Sequence, residues 1–245
     1  MKSQIAIVTG ILLSFNAAAD EEWIFGIGAG VTSYESAYKG VGTETTVFPS
    51  LYAQKGNFLL AGNKAQYTLY GNSKFQVNLL GQYRFEGYEA NDSNILNGME
   101  ERDGALEAGV SATFDTHYGI LSASFVTDIS DTHEGHELSV GWAKPYQLNA
   151  KWMLKPSLEL NWRSDDLNNY YYGVKSNEAT SQRAVYQVDS SMRYRAGVDA
   201  FYVVDKQQTI QMGIGVNGWG SEIEDSPIVD RNNSPDVKAA YTFRF

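Results

Sequence analysis

The chain alternates apolar and polar residues from end to end. In WMLKPSLELNW, residues 152–162, every second position is apolar (Trp152, Leu154, Pro156, Leu158, Leu160, Trp162), and Lys155, Ser157, Glu159 and Asn161 stand between them. Period two is the signature of a strand with one oily face. The same rhythm puts Phe75, Val77, Leu79, Tyr83 and Phe85 opposite Lys74, Gln76, Arg84 and Glu86. It also sets Tyr194, Val198 and Tyr202 against Arg193, Arg195 and Asp199, and it runs through the closing VKAAYTFRF. Near the start, WIFGIGAGV places Trp23, Phe25, Ile27, Ala29 and Val31 on one face and glycines 26, 28 and 30 on the other. A dinucleotide fingerprint needs a third glycine where Val31 stands and a helix after it; here the glycines relieve crowding on a concave face or allow curvature.

Extending this reading predicts twelve strands, at 23–31, 46–54, 57–62, 66–71, 74–86, 104–115, 118–129, 136–144, 150–163, 191–204, 208–218 and 236–245. The pair 57–62 and 66–71 carries the weakest pattern. The connections have a phase. The odd ones (32–45, 63–65, 87–103, 130–135, 164–190, 219–235) are mostly long, and the even ones (55–56, 72–73, 116–117, 145–149, 205–207) are short. Long loops outside and tight turns inside are expected of an outer-membrane barrel with both termini in the periplasm, and its strand count is even. The predicted fold class is all-β: a closed antiparallel transmembrane β-barrel of about 12 strands, with 10 as the alternative.

Alternation alone does not separate a lipid-facing barrel from a soluble one, but the ends of the apolar faces do. At about 3.3 Å per residue and about 40° of tilt, Trp152 and Trp162 lie roughly 25 Å apart along the barrel axis, the height of the apolar band between aromatic girdles. Phe75 and Phe85 repeat the spacing, and Tyr194 and Tyr202 join them as interface aromatics. Tyr241, Phe243 and Phe245 form an aromatic C-terminal barrel signal, which implies the barrel-assembly machinery as a partner. Lys74, Arg84, Glu107, Lys155, Glu159, Arg193, Arg195 and Asp199 then face the lumen, where Glu159 is in reach of Arg193 or Arg195 across the ladder. Twelve strands favour a lumen plugged by such pairs over a wide pore, since open channels belong to barrels of 16 or more strands. A soluble lipocalin-like barrel would instead leave those charges in bulk water and give the aromatic rims no purpose. Pro156 removes a ladder donor, so a local bulge is expected there.

Composition sharpens this picture. Tyrosine (16), glycine (23) and phenylalanine (11) are abundant, proline (5) is scarce and cysteine absent, so the chain must hold together without disulfides. Residues 1–19 read as a secretory signal: basic Lys2, an apolar run from Ile5 to Phe15, and small Ala17 and Ala19 before Asp20. Residues 20–245 are then a single barrel domain. Lys2 is the one charge in that segment, so its removal moves the formal net charge from −10 to −11. Such an acidic chain lacks the basic footprint of nucleic-acid binding. Outer-membrane lipid and lipopolysaccharide are the expected surroundings.

Candidate chemistry is sparse. His133 and His136 form a His-x-x-His in SDTHEGHE with no third defined ligand, which reads as a solvated loop and not a metal site. His117 falls in a turn, and no histidine stands mid-strand beside a serine or threonine nucleophile, so no catalytic residue, cofactor or metal is assigned and the chain is read as a non-enzyme. The acidic loops EGYEANDSNILNGMEERDG and GSEIEDSPIVDRNN face outward as solvated segments.

Four stretches carry a family resemblance: FPSLYAQKGNFLLAG, DISDTHEGHELSVGWAKP, NNYYYGVKSNEATSQRAVY and EDSPIVDRNNSPDVKAAYTFRF. The Tyr-Tyr-Gly-Val element at Tyr171, Tyr172 and Gly173, and the later Asp225, Ser226 and Pro227 before an aromatic-ended strand, resemble the MipA/OmpV family of outer-membrane proteins over essentially the whole mature chain. Ser190 and Ser191 depart from it where a glycine is expected. The resemblance implies an outer-membrane barrel with no established catalysis. It implies an interaction or scaffold protein that joins a murein-degrading transglycosylase to a murein-synthesising enzyme. A narrow solute channel or a surface adhesin is the alternative, and a lipid-modifying barrel enzyme comes third.

Overall fold

The computed structural model describes residues 22–245, so the proposed signal segment and its cleavage point lie outside the described residues. Twelve strands close into one antiparallel barrel. They are β1 Ile24–Glu35, β2 Thr43–Lys55, β3 Phe58–Ala61, β4 Lys64–Gly71, β5 Phe75–Arg84, β6 Ala105–Thr116, β7 Gly119–Asp128, β8 His136–Ala143 with a short continuation Tyr146–Gln147, β9 Trp152–Arg163, β10 Ser191–Val203, β11 Gln208–Trp219 and β12 Asn233–Arg244. Each pairs with its neighbours in sequence, and β12 returns to β1 through partners running from Gly26 and Arg244 to Tyr34 and Asp236. Closure gives the backbone donors and acceptors of both terminal strands partners, as hydrocarbon requires.

The predicted faces are the observed ones. On β9, Leu158, Leu160 and Trp162 are exposed on the outside, while Asn161 and Arg163 are buried inside. On β1, Ile27 and Val31 point out and Gly30 points in; a Cβ on Gly30 would lie 2.3 Å from the Phe48 ring of β2. Crowding inside the wall thus explains that glycine.

Two features of the wall differ from expectation. Pro156 makes no bulge. Its register is unbroken against Val198 on β10, and on the other side Ser157 opposite Ala143 and Leu154 opposite Tyr146 keep one register. The missing donor is absorbed instead by a break in β8 at Lys144 and Pro145, where Lys144 N–H still donates to Pro156 O at 3.1 Å. The register shift falls on β4, between Thr68 and Tyr70.

The hairpin of β3 and β4 is also short. Gly62 N–H donates to Leu51 O at 2.9 Å, so the hairpin ends level with Leu51 while β2 continues up to Thr43. About eight residues, roughly 20 Å of height, therefore have a ladder partner on the β1 side only. Residues alternate in the side to which they offer their backbone, so Pro49 faces this notch with Leu51 and has no N–H to leave unpaired.

Gly30→Val should overpack Phe48 and lower unfolding stability by about 1–3 kcal/mol. Guanidinium titration of the refolded barrel measures it, and adding Phe48→Ala should restore part of the loss.

Candidate functional site: a capped, charged lumen

The hydrophobic core of this protein lies in its loops. Ala37 and Tyr38 from the β1–β2 connection meet Tyr88, Leu96 and Met99 from the β5–β6 connection, Leu167, Tyr171, Tyr172, Val174 and Val188 from the β9–β10 connection, and Ile223, Ile228 and Val229 from the β11–β12 connection. Together they form a packed cap over the end of the barrel that carries the long loops. Tyr38 anchors it, with its ring 4.8 Å from Tyr88 and 5.5 Å from Tyr172 and its hydroxyl donating to Tyr171 O at 3.2 Å.

Helix α1, Asp165–Tyr172, builds the cap from a segment that lacks period two and is expected to be loop. The local code is nonetheless present. Ser164 is the N-cap, accepting from Leu167 N–H, and Asp165 and Asp166 occupy the first turn, where the helix dipole favours acid. Leu167, Asn168, Tyr171 and Tyr172 then fall on the buried face. Gly173 closes the helix, its N–H donating to Asn169 O at 2.9 Å; a Cβ there would sit 2.5 Å from the same oxygen.

Beneath the cap, an ion network crosses the lumen. Arg84 of β5 reaches Glu107 of β6 at 2.8 Å, Glu137 of β8 at 3.2 Å and Glu86 at 3.3 Å. Arg163, at the top of β9 and fully buried, binds Glu86 at 2.6 Å and approaches Glu137 at 3.5 Å. Gln82 donates to Glu107 at 2.7 Å. Tyr172 donates its hydroxyl to Glu86 at 2.6 Å, which ties the cap helix to the wall. Burial alone would raise the Glu86 carboxyl; the guanidinium groups of Arg163 and Arg84 overcome this and hold it well below the usual carboxylate range. Burial pushes the Tyr172 hydroxyl above the usual phenol range, and the neighbouring Glu86 charge adds to this.

Further down, Lys238 pairs with Asp199 at 2.8 Å, and Lys155 lies 5.7 Å over the Phe201 ring. The register sets Glu159 opposite Arg195 and Asn161 opposite Arg193, yet Glu159 pairs with neither arginine. Arg195 turns the other way to Asp236 on β12, and Arg193 donates to Asn217 on β11 at 3.0 Å. Cross-strand adjacency brings these groups near each other, but β11 takes Arg193 and β12, two strands away, takes Arg195. Lys74 is exposed in the turn before β5 and stays out of the network, because the inward face begins only at Gln76.

The aromatics lie at the two rims. Trp152 packs on Tyr202 at 4.8 Å, Phe75 lies 6.4 Å from Tyr70, and Phe85 meets Tyr83 at 4.7 Å. Trp162 lies 5.5 Å from His136 with the rings tilted, and Tyr194 covers Gly218, where a Cβ would be 2.0 Å from the ring. Tyr241 donates to Gln208 at 2.8 Å, and Phe243 and Phe245 stack at 6.3 Å. The two loop histidines diverge. His136 faces outward beside Trp162, while His133 is buried, accepting from Gly135 N–H at 3.0 Å through Nδ1 with Nε2 3.2 Å from Glu107. His133 is thus structural and unsolvated, and among the described residues no cluster of metal ligands exists.

The motif residues gather in the cap. Tyr171 donates to Asp103 O at 3.1 Å, and Ser226 donates to Tyr172 O at 2.6 Å. Asp225 caps the short helix α2, Ser221–Glu224, and Pro227 follows half-buried. Ser191, where a glycine was expected, is buried and donates to Glu222 at 2.8 Å. A second buried arginine, Arg102, is held by Glu178 at 2.8 Å and by Tyr170 O at 2.5 Å.

The family model "MltA-interacting protein MipA" matches residues 27–245. The chain belongs to this family. Outer membrane protein OmpV of Vibrio cholerae is 30% identical over 73% of this chain and 70% of its own length. MltA-interacting protein of Escherichia coli K12 is 25% identical over 98% of each chain. Among solved structures, an outer-membrane channel from Pseudomonas putida F1 aligns with a TM-score of 0.47 at 11% identity, covering 95% of this chain and 98% of that one. Relatives named as outer-membrane proteins and a closed barrel with an oily exterior place the protein in the outer membrane.

Glu86→Gln leaves Arg163 buried with a weakened partner and should cost about 3 kcal/mol. The wild-type contribution is complete above the ordinary glutamate pKa of about 4.3 and is lost as pH falls toward the depressed folded value. The thermal midpoint followed by circular dichroism should therefore be flat from about pH 8 to 5 and fall below about pH 4, less steeply in Glu86→Gln.

Proposed function

We propose that this protein is a non-enzymatic anchoring barrel whose working surface is its periplasmic rim, where it holds enzymes that cut and build murein. The observation that carries this reading is the contrast between the two ends. The long-loop end is sealed by the packed cap and is rich in acids such as Glu89, Asp92, Glu100 and Glu101. The short-turn end presents Lys55, Lys74, Lys151 and Lys206, all exposed and none in an ion pair among the described residues, with Lys144 half-buried beside them. Set against Glu22, Asp115, Asp205 and the C-terminal carboxylate at the same end, these lysines with Arg244 still leave a small positive excess on the side facing the periplasm, and such a patch steers and orients an anionic partner.

The name of the Escherichia coli relative, MltA-interacting protein, supports a murein transglycosylase as one partner. A murein synthase is the second partner in this reading. Lipopolysaccharide around the outer rim and the barrel-assembly machinery acting on the Phe245 end complete the set. A capped and salt-bridged lumen favours scaffolding over free solute passage.

Reversing three rim lysines (Lys74→Glu, Lys151→Glu, Lys206→Glu) should cut crosslinking to the endogenous murein transglycosylase by about tenfold in intact envelopes, with barrel level and gel heat-modifiability unchanged. Undiminished crosslinking, or none in the wild type, would count against scaffolding.

A further inference from the structure

Between the ion network and the lower pairs, the lumen keeps a cavity of about 160 Å³. By the ~10–15 Å³ that one water requires, this is room for on the order of ten waters or a comparably small organic molecule. Its wall on β3 to β8 mixes the hydroxyls and amides of Ser111, Ser122, Ser124, Ser139 and Gln66 with apolar side chains and the cation of Lys64. Ser122 faces inward and is solvent-exposed, so water reaches the space.

The wall formed by β9 and β10 is different, because its polar groups are unfinished. Glu86, Glu107, Glu137, Asp199 and Asp236 each have a cationic side chain in contact. Glu159 lines the cavity with no ion pair or hydrogen bond of its side chain among the described residues. Two residues along the same inward face, Asn161 is 2% exposed and its Oδ1 has no partner. Opposite Asn161 in the register, Arg193 spends one amino group on Asn217, while its Nε is buried and unpaired. An unsatisfied buried polar group costs about 1–3 kcal/mol, more when charged, so a wall with two of them, Asn161 Oδ1 and Arg193 Nε, beside the half-buried and unpaired Glu159 is left for water or a ligand to complete.

The unmet groups specify that ligand. Glu159 and Asn161 Oδ1 are acceptors that suit an ammonium group; Arg193 Nε is a cationic donor that suits a carboxylate. We infer that the cavity binds a small zwitterion of the amino-acid type. Its ammonium rests between Glu159 and Asn161, its carboxylate lies on Arg193, and its short side chain points toward the serine hydroxyls. Neither a simple anion nor a simple cation completes the set.

The test is calorimetric titration of the refolded, detergent-solubilised barrel with glycine and with L- and D-alanine and L- and D-serine, alongside propionate and ethylamine as half-molecules. At least one of the five amino acids should bind saturably, at least tenfold more tightly than either half-molecule. Glu159→Gln and Arg193→Gln should each weaken that binding at least tenfold while the boiled and unboiled gel mobilities stay those of the wild type. Asn161→Asp adds an acceptor charge at the ammonium end and should not weaken it, which separates ligand contact from a folding defect. The assignment is overturned if none of the five amino acids saturates below 10 mM, if propionate or ethylamine binds as well, or if both charge-removing variants bind like wild type.

Discussion

A backbone that crosses hydrocarbon has nowhere to place its hydrogen bonds except on itself, and this demand organises the whole molecule. It requires closure, which joins β12 to β1. Closure in turn creates an interior of limited width, into which every second side chain of twelve strands must fit. The apolar half of the alternation goes to the lipid, so the interior receives charged and amide side chains and must satisfy them internally. The arginine and glutamate network under the cap follows directly from that partition.

The molecule therefore inverts the usual arrangement of a globular protein. Its largest apolar cluster belongs to the loops, and its membrane-spanning part has a polar centre. The two regions are joined through several contacts, among them the Tyr172 hydroxyl on Glu86, Arg163 over the Tyr172 ring and the Asn168 amide on Arg163 O. Cap packing and lumen electrostatics are consequently coupled: a change that loosens Tyr172 also strips a hydrogen bond from the carboxylate that neutralises Arg163. The family motifs fall at this junction, which gives them an architectural reason independent of any ligand.

Strand identity, facing and loop phase were legible in the sequence because period two is forced by the pleat and needs no tertiary information. Residues such as Trp152, Leu158 and Trp162 announce their side through spacing alone. The cap was not legible in the same way. Its core assembles from four separate connections whose mutual approach is set only by the closed barrel. Even so, Ser164 followed by Asp165, Asp166 and a terminal Gly173 spells a helix that a search limited to alternation passes over. Lumen pairing was half legible. Register predicts which residues are adjacent, as with Glu159 and Arg195, but a long inward side chain reaches past the adjacent strand, and Asp236, two strands away on β12, wins the arginine. The buried His133 was misread for a related reason: its partner Glu107 is more than twenty positions away on another strand.

The low hairpin of β3 and β4 gives the wall two heights. Around most of the circumference the strands rise to the outer aromatic rim; at this sector they stop near Leu51, and only the flank of β2 continues upward. A hydrocarbon layer of constant thickness cannot match both. The outer leaflet must dip here, drawing headgroups and water down to the peptide groups of Val47 and Thr45, at a cost of fractions of a kcal/mol per ångström. Pro49, at the foot of that flank, offers no hydrogen for a stray strand to capture. The barrel thus carries a built-in direction in the plane of the membrane, a sector that deforms its surroundings and so distinguishes one side of an otherwise round protein from every other.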